Sequence, residues 1–397
     1  MFRFVLANPG KILFALSCLS IFCFSACNIS STDSAEEQAY NGSEKNELYA
    51  KYHLDKISLP DGFSIDIFAS AAGARSLCVS PSGIVYAGSQ NAGKVYAMKD
   101  EDKDGKADKV YEIASGMDTP NGVAFKDGSL YIATVSKIFR VDNVESDLDH
   151  PAAPILVYDK FPTDEHHGWK FIAFGPDGKL YVPVGAPCNI CESENPVYAS
   201  ITRMNADGSD FEIFAKGIRN SVGFAWHPLT NEMWFTDNGR DNLGDDVPND
   251  ELNNAPQPGM HFGYPYCHQG NVPDPEFGKG KTCSDYTAPV KLLGPHNAAL
   301  GLRFNTGNMF PAEYKNALFV ARHGSWNRSI PAGYDIAVLK LDAKGNPLEP
   351  EPFAKGWLQN EKTVNGRPVD VAFLPDGSLL ISDDYNGIVY RISYKAH

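Results

Sequence analysis

The 397-residue chain has no surplus of basic residues. Thirty-five Lys and Arg stand against 49 Asp and Glu, for a formal net charge of −14. Phosphate backbones are bound through basic surface, so this balance excludes nucleic acid as a partner. No apolar run reaches the roughly 20 residues a membrane-spanning helix needs, and no segment carries helical apolar spacing over a useful length. Cysteine is sparse too. Setting aside Cys18, Cys23 and Cys27 near the start leaves Cys78, Cys188, Cys191, Cys267 and Cys283. Cys188 and Cys191 lack both a second ligand pair at zinc-finger spacing and the βαβ setting of a thioredoxin-type motif. What remains is a local disulfide. Cys267 and Cys283 bracket a Pro/Gly-rich stretch that a second disulfide would staple, and Cys78, in an apolar strand, is read as an unpaired core residue.

The beginning of the chain places it. Arg3 and Lys11 precede an apolar stretch from Ile12 to Phe24, and Ser25-Ala26-Cys27 follows. This is the make-up of an export signal, and Cys27 after Phe24-Ser25-Ala26 resembles a bacterial lipobox, whose cysteine is acylated. The expectation is a signal peptide over 1–26, a lipid-anchored polar tether over 27–54 and a domain over 55–397. Asn28 after the cysteine favours the outer membrane of a bacterial envelope, an oxidising setting in which disulfides form.

One unit then recurs six times: an apolar strand, a Gly-containing turn and a second strand. The first strands are predicted at Ser76–Ser80, Asn121–Phe125, Phe171–Phe174, Val222–Trp226, Leu300–Phe304 and Val369–Phe373. Turns such as Lys126-Asp-Gly128, Gly175-Pro-Asp-Gly178 and Pro375-Asp-Gly377 are hairpin chemistry. Six such units predict an all-β, six-bladed β-propeller. The widest gap between units, from Asn238 to Leu300, marks long loops where function concentrates.

In a propeller the residues just ahead of each first strand converge on one mouth of the central channel. Here they are Arg75, Asn121, His167, Arg219-Asn220, His296 and Arg367. Guanidinium groups around a pocket of an acidic protein imply an anionic ligand. His167 has the chemistry of a general base. The acidic run from Asp237 to Glu251 offers oxygens to a hard cation such as calcium, or is a solvated loop. Asp100, Asp102, Asp104 and Asp108, with Gly105 among them, copy the start of a calcium loop. The Glu expected at its twelfth position is replaced by Tyr111, and a plain acidic turn is the alternative.

Several segments together resemble the PQQ-dependent sugar dehydrogenases, specifically the sorbosone dehydrogenase-like branch of the soluble glucose dehydrogenase superfamily. They are His166-His-Gly-Trp-Lys170, Gly217-Ile-Arg-Asn220, Asp237-Asn-Gly-Arg-Asp241, Gly244 to Asn253, His323-Gly-Ser-Trp-Asn-Arg328 and Gly366-Arg-Pro-Val-Asp370. The resemblance implies that His167 is the catalytic base and that Arg219 and Asn220 lie beside the quinone oxygens. It implies that the main-chain carbonyls of Gly239 and Arg240 hold a PQQ-bound calcium, with Arg240 standing where the soluble glucose enzymes have proline. Arg367 matches a PQQ carboxylate ligand. A second arginine of that motif is Val369 here, so the missing contact falls to Arg75, Arg322, His323 or Arg328, with Arg75 and His323 ahead; Asn121 completes the cofactor-binding set. The implied reaction moves a hydride from a sugar or sugar-like alcohol to PQQ while His167 takes the hydroxyl proton, calcium acts as Lewis acid and Arg219 faces the developing oxyanion. A quinone or cytochrome would accept the electrons. The alternatives are a calcium-dependent propeller lactonase, and a non-catalytic propeller that binds sugar or protein.

Overall fold

The computed structural model describes residues 47–396. The signal segment, Cys27 and the tether up to residue 46 lie outside the described residues. No helix among the described residues is long and apolar enough to cross a membrane.

Six four-stranded antiparallel sheets form the blades. Their innermost strands are Ala74–Val79, Gly122–Lys126, Ala173–Phe174, Phe224–Trp226, Ala299–Phe304 and Pro368–Phe373. Each pairs with the next strand in sequence: Val85–Ser89, Ser129–Ala133, Leu180–Val184, Met233–Asp237, Leu318–Arg322 and Leu379–Asp383. The protein is a six-bladed β-propeller. In the third and fourth blades the inner strand begins two residues later than predicted, because the chain ahead of it is bent into the channel mouth.

The ring closes on itself. Phe63–Ser70, from the start of the domain, pairs antiparallel with Ile388–Tyr394 and becomes the outer strand of the last blade. Pairing the first strand with the last joins the two ends of the chain and leaves no open gap between first and last blades. The Asp-Gly turns are left-handed at glycine, with φ of +81° at Gly128 and +89° at Gly377, where a Cβ is disfavoured.

The second strand of a blade is covered by neighbouring blades on both faces, so Val85–Ser89 and Leu180–Val184 are buried throughout. The largest core cluster fills the seam between the last two blades, where Phe319, Phe353, Trp357 and Tyr390 are buried. Phe63 of the closing strand packs edge-on against Phe310 and Phe353 with ring centroids 4.8 and 5.0 Å apart. Tyr52 and Leu54 join that core, so packing against the propeller starts ahead of residue 55.

The gap in the fourth blade is an excursion between Asn249–Ala255 and its outer strand Lys291–Pro295. It carries the small hairpin Cys267–His268 and Val272–Pro273, stapled by the Cys267–Cys283 disulfide. Cys188 and Cys191 form the second disulfide. Cys78 is free and half-buried.

Candidate active site

The loops entering the inner strands wall a cavity of about 400 Å³ at one mouth of the channel, within the range of small-molecule sites. Arg75, His167, Arg219, Asn220, His296, His323 and Arg367 all line it, as does Gly239. Two of these loops are tied down alike, by an aspartate closing the second strand of the blade. Asp237 accepts the backbone N–H groups of Arg219 (2.9 Å) and Asn220 (2.6 Å), and Asp383 accepts that of Arg367 (3.0 Å).

His167 is buried, with its backbone in the left-handed region at φ +52°. Such strain persists only where the surroundings enforce it. Gly185 allows it, because a Cβ there would sit 2.5 Å from the His167 Cβ. Nδ1 lies 2.9 Å from the Ala186 carbonyl. Donating that proton leaves Nε2 as the ring's acceptor. Burial, then the nearby Arg219 and His166, push the imidazole pKa down to about 2, so it is neutral at working pH.

Arg219 is held on nearly every side. Nε donates to the Asn189 carbonyl (2.8 Å), Nη2 to Asn189 Oδ1 (2.9 Å) and Asp241 Oδ2 (3.1 Å), and Nη1 to the Asn238 carbonyl (3.3 Å). Four of its five N–H groups are thereby used, leaving one on Nη1.

Across the cavity Asp384 gathers two further arginines and a histidine whose pKa burial pushes down. It pairs with Arg75, lies 3.0 Å from His323 Nε2 and is 3.8 Å from Arg367. These partners hold its carboxyl well below the ordinary range despite burial, which acts the other way. Arg75 also donates to Asn121 Oδ1 (2.8 Å). Asn121 itself does not reach the cavity. It is fully buried, and its Nδ2 donates to Ser76 Oγ and the Lys170 carbonyl, so it braces Arg75 from behind. Arg322 is turned to Asp335, and Arg328 to the carbonyls of Asp245 and Ile330; neither lines the cavity.

The loop from Asn238 to Asp241 rests on buried acids. Asp250 accepts the Gly239 N–H (3.0 Å), and Glu251 accepts those of the Gln269 backbone and the Asn253 side chain. Burial pushes Asp237, Asp250 and Glu251 well above the ordinary carboxylate range, and repulsion from Asp250 adds to it at Asp237, as does repulsion from Asp237 and Asp250 at Glu251. The Arg240 side chain turns away to Asp274, which His268 also contacts at 2.9 Å. No hydrogen bond from the described residues reaches the carbonyls of Gly239 or Arg240. Free carbonyls backed by carboxylates are a hard-oxygen donor set that fits calcium.

Three cavity-lining residues carry a buried polar atom with no partner among the described residues: Trp169 Nε1, Asn238 Oδ1 and Asn327 Nδ2. Leaving such groups unpaired is costly, so the wall is built for a polar ligand. With arginines on two sides and partnerless amide and indole groups between, it fits an anionic, multiply hydrogen-bonding cofactor such as PQQ.

A family model described as TrAA12-like matches residues 58–395. The chain belongs to the TrAA12-like family. It is 34% identical over 353 residues to an uncharacterised protein of Borreliella burgdorferi, covering 85% of this chain and 91% of that protein. A 122-residue stretch is 34% identical to the PQQ-dependent pyranose dehydrogenase of Coprinopsis cinerea, which is 26% of this chain and 16% of that protein. The holo PQQ domain of that pyranose dehydrogenase superposes with a TM-score of 0.75 at 18% identity, over 85% of this chain and 97% of the domain. A calcium structure of the Trichoderma reesei family AA12 enzyme superposes at 0.74 with 19% identity, over 85% and 97%. At these identities the superpositions establish the shared propeller.

Several residues of this TrAA12-like site escaped the sequence reading: Asn189, Asp384, Trp169, Asn238 and Asn327. One signal was there to find, since Asp237-Asn238 and Asp383-Asp384 occupy the same place at the end of a second strand. The Asp100–Asp108 loop lies elsewhere, between the two outer strands Val95–Lys99 and Lys109–Ala114 of the first blade. Asp100, Asp102 and Asp108 bring carboxylate oxygens within 4.8 Å of one another there. Asp104 instead accepts the Lys106 N–H (2.8 Å).

Proposed function

We propose that this TrAA12-like propeller is a PQQ- and calcium-dependent oxidoreductase acting on a sugar or sugar-like alcohol or aldehyde hydrate. The observation that carries the reading is a buried, neutral His167 on the same cavity wall as Arg219, with Arg75 and Arg367 opposite. PQQ, when bound, supplies the two-electron acceptor. Arg75, Arg367 and His323 would take its carboxylates, with Asn220 and Arg219 beside its quinone oxygens. The Gly239 and Arg240 carbonyls would hold calcium. His167 Nε2 takes the substrate hydroxyl proton, and the remaining Nη1–H of Arg219 stabilises negative charge developing nearby. A lactonase would need acidic and amide side chains free to ligate a metal on the axis; here Asp241 is paired with Arg219, Asp250 accepts the Gly239 and Ala299 N–H groups, and arginines and histidines stand among them.

The test is titration of the purified, calcium-loaded domain with PQQ, then dye reduction across a sugar panel. Calcium-dependent binding with sugar-driven dye reduction is expected; absence of PQQ binding overturns the reading in favour of the lactonase or the binding propeller. We also propose that Cys27 anchors the protein in a bacterial envelope, where a quinone or cytochrome takes the electrons. The Asp100–Asp108 loop is proposed as a second, structural calcium site. Asp102→Asn with Asp108→Asn is then expected to shrink the rise in Tm on adding calcium while leaving kcat unchanged; an unaltered calcium response rules that site out.

A further inference from the structure

The six residues from Ala186 to Cys191 touch His167, Arg219 and Asp241 of the proposed catalytic centre. The Ala186 carbonyl meets His167 Nδ1 at 2.9 Å, and the Ala186 N–H donates to the Arg219 carbonyl at 2.8 Å. Asn189 does more. Its carbonyl and Oδ1 accept from Arg219 Nε (2.8 Å) and Nη2 (2.9 Å), and the same Oδ1 accepts the Asp241 N–H (2.8 Å). Its Nδ2 donates to the Asp241 carbonyl at 3.2 Å. One amide side chain thus joins the guanidinium to the loop proposed above to hold calcium.

Asn189 stands inside the four-residue ring closed by the Cys188–Cys191 disulfide. That ring is pinned in turn, because the Cys191 N–H donates to the hydroxyl of buried Tyr264 (3.1 Å). A closed ring held at one end has little freedom left. An asparagine presented by it keeps its place without paying ordering entropy when ligand binds.

We propose that Asn189 is the positioning residue that sets Arg219 and the 238–241 loop in register with each other, and that the Cys188–Cys191 disulfide is what holds it there. The disulfide therefore serves the catalytic geometry rather than the bulk stability of the propeller. The assignment to a catalytic geometry rests on the function proposed above; the clamp itself rests on the contacts alone.

The test compares wild type, Asn189→Ala, Asn189→Asp and the double variant Cys188→Ala/Cys191→Ala, as full chains, in two independent measurements. The first is amide hydrogen exchange without cofactor. Asn189→Ala and the double variant are expected to lose protection at Asp241 and its neighbours while the outer blades stay as in wild type. The second is steady-state kinetics with PQQ and calcium. Asn189→Ala is expected to lower kcat by ~10- to ~100-fold, as a small misplacement of a catalytic group does, with KM for the sugar little changed. Asn189→Asp keeps the acceptor for Arg219 and for the Asp241 N–H, and is expected to recover most of that loss. Unchanged protection at Asp241 overturns the clamp, and so does protection lost uniformly through the domain. If the wild type shows no PQQ-dependent turnover, the functional reading has failed while the exchange result still decides the clamp.

Discussion

Replacing His167 with alanine is expected to lower turnover by ~10²–10⁴-fold, the range for a lost general base, with PQQ binding largely retained. The argument is geometric. Nδ1 is committed to the Ala186 carbonyl, so Nε2 is the lone pair left for a substrate proton. The ring carries no charge that an anionic cofactor would rely on, because burial and Arg219 keep it neutral. The pH profile gives a second readout. With its pKa held far down, the acid limb of kcat/KM is expected below the ordinary histidine value of about 6.5. The same shift has a stability consequence of definite sign. Below about pH 6.5 the unfolded chain binds a proton at this histidine that the folded domain does not, so its contribution turns against folding as pH falls. Stopped-flow turnover of the variant and a rate profile from pH 5 to 8 check both. Wild-type turnover in His167→Ala removes the residue from its role.

Arg367→Leu is expected to raise the Kd for PQQ by ~10- to ~100-fold, corresponding to the loss of a charge-assisted hydrogen bond worth about 1.5–3 kcal/mol. Among the cavity arginines this one has the most to give a ligand. Its side chain is 42% exposed against 4% for Arg75 and 5% for Arg219, and its carboxylate neighbour, Asp384, is 3.8 Å away. Arg219 has one N–H left and Arg75 is already paired with Asp384 and Asn121, whereas Arg367 donates to the neutral ring of His323 (3.1 Å). Leucine keeps bulk against His323 while removing the charge, so the Tm without PQQ should move little. Equilibrium titration at fixed calcium measures the affinity, and an unchanged Kd assigns the carboxylate contact to Arg75 and His323 instead.

The propeller was legible because its signals are local. A strand with covered faces needs apolar and β-branched residues in sequence, and a tight hairpin needs Asp-Gly or Pro-Asp-Gly, so each blade announces itself within about twenty residues. The cavity-lining set was legible for a related reason. A repeat places equivalent positions at equivalent heights around the axis, so residues ahead of the inner strands had to share one mouth. Asn121 occupies such a position yet turns inward, where it satisfies Arg75 and the Lys170 carbonyl. Position in a repeat directs the backbone; the rotamer is chosen by whatever unpaired group is nearest.

The amino-acid sequence by itself determined the fold class, the two disulfides, the acidic surface and the ring of arginines and histidines at the channel mouth, all consequences of composition and short-range pattern. Only the tertiary structure decided which of those cations stays available. Arg75 meets Asp384 across 309 residues of chain, Arg219 meets Asn189 across 30 and Arg240 is drawn off to Asp274. The first pairing follows from the closure of the ring, which sets first and last blades side by side; the other two join loops of the third and fourth blades, and no local pattern encodes any of them. A charge buried at the axis must find a counter-charge there, and the blades decide from how far along the chain it comes.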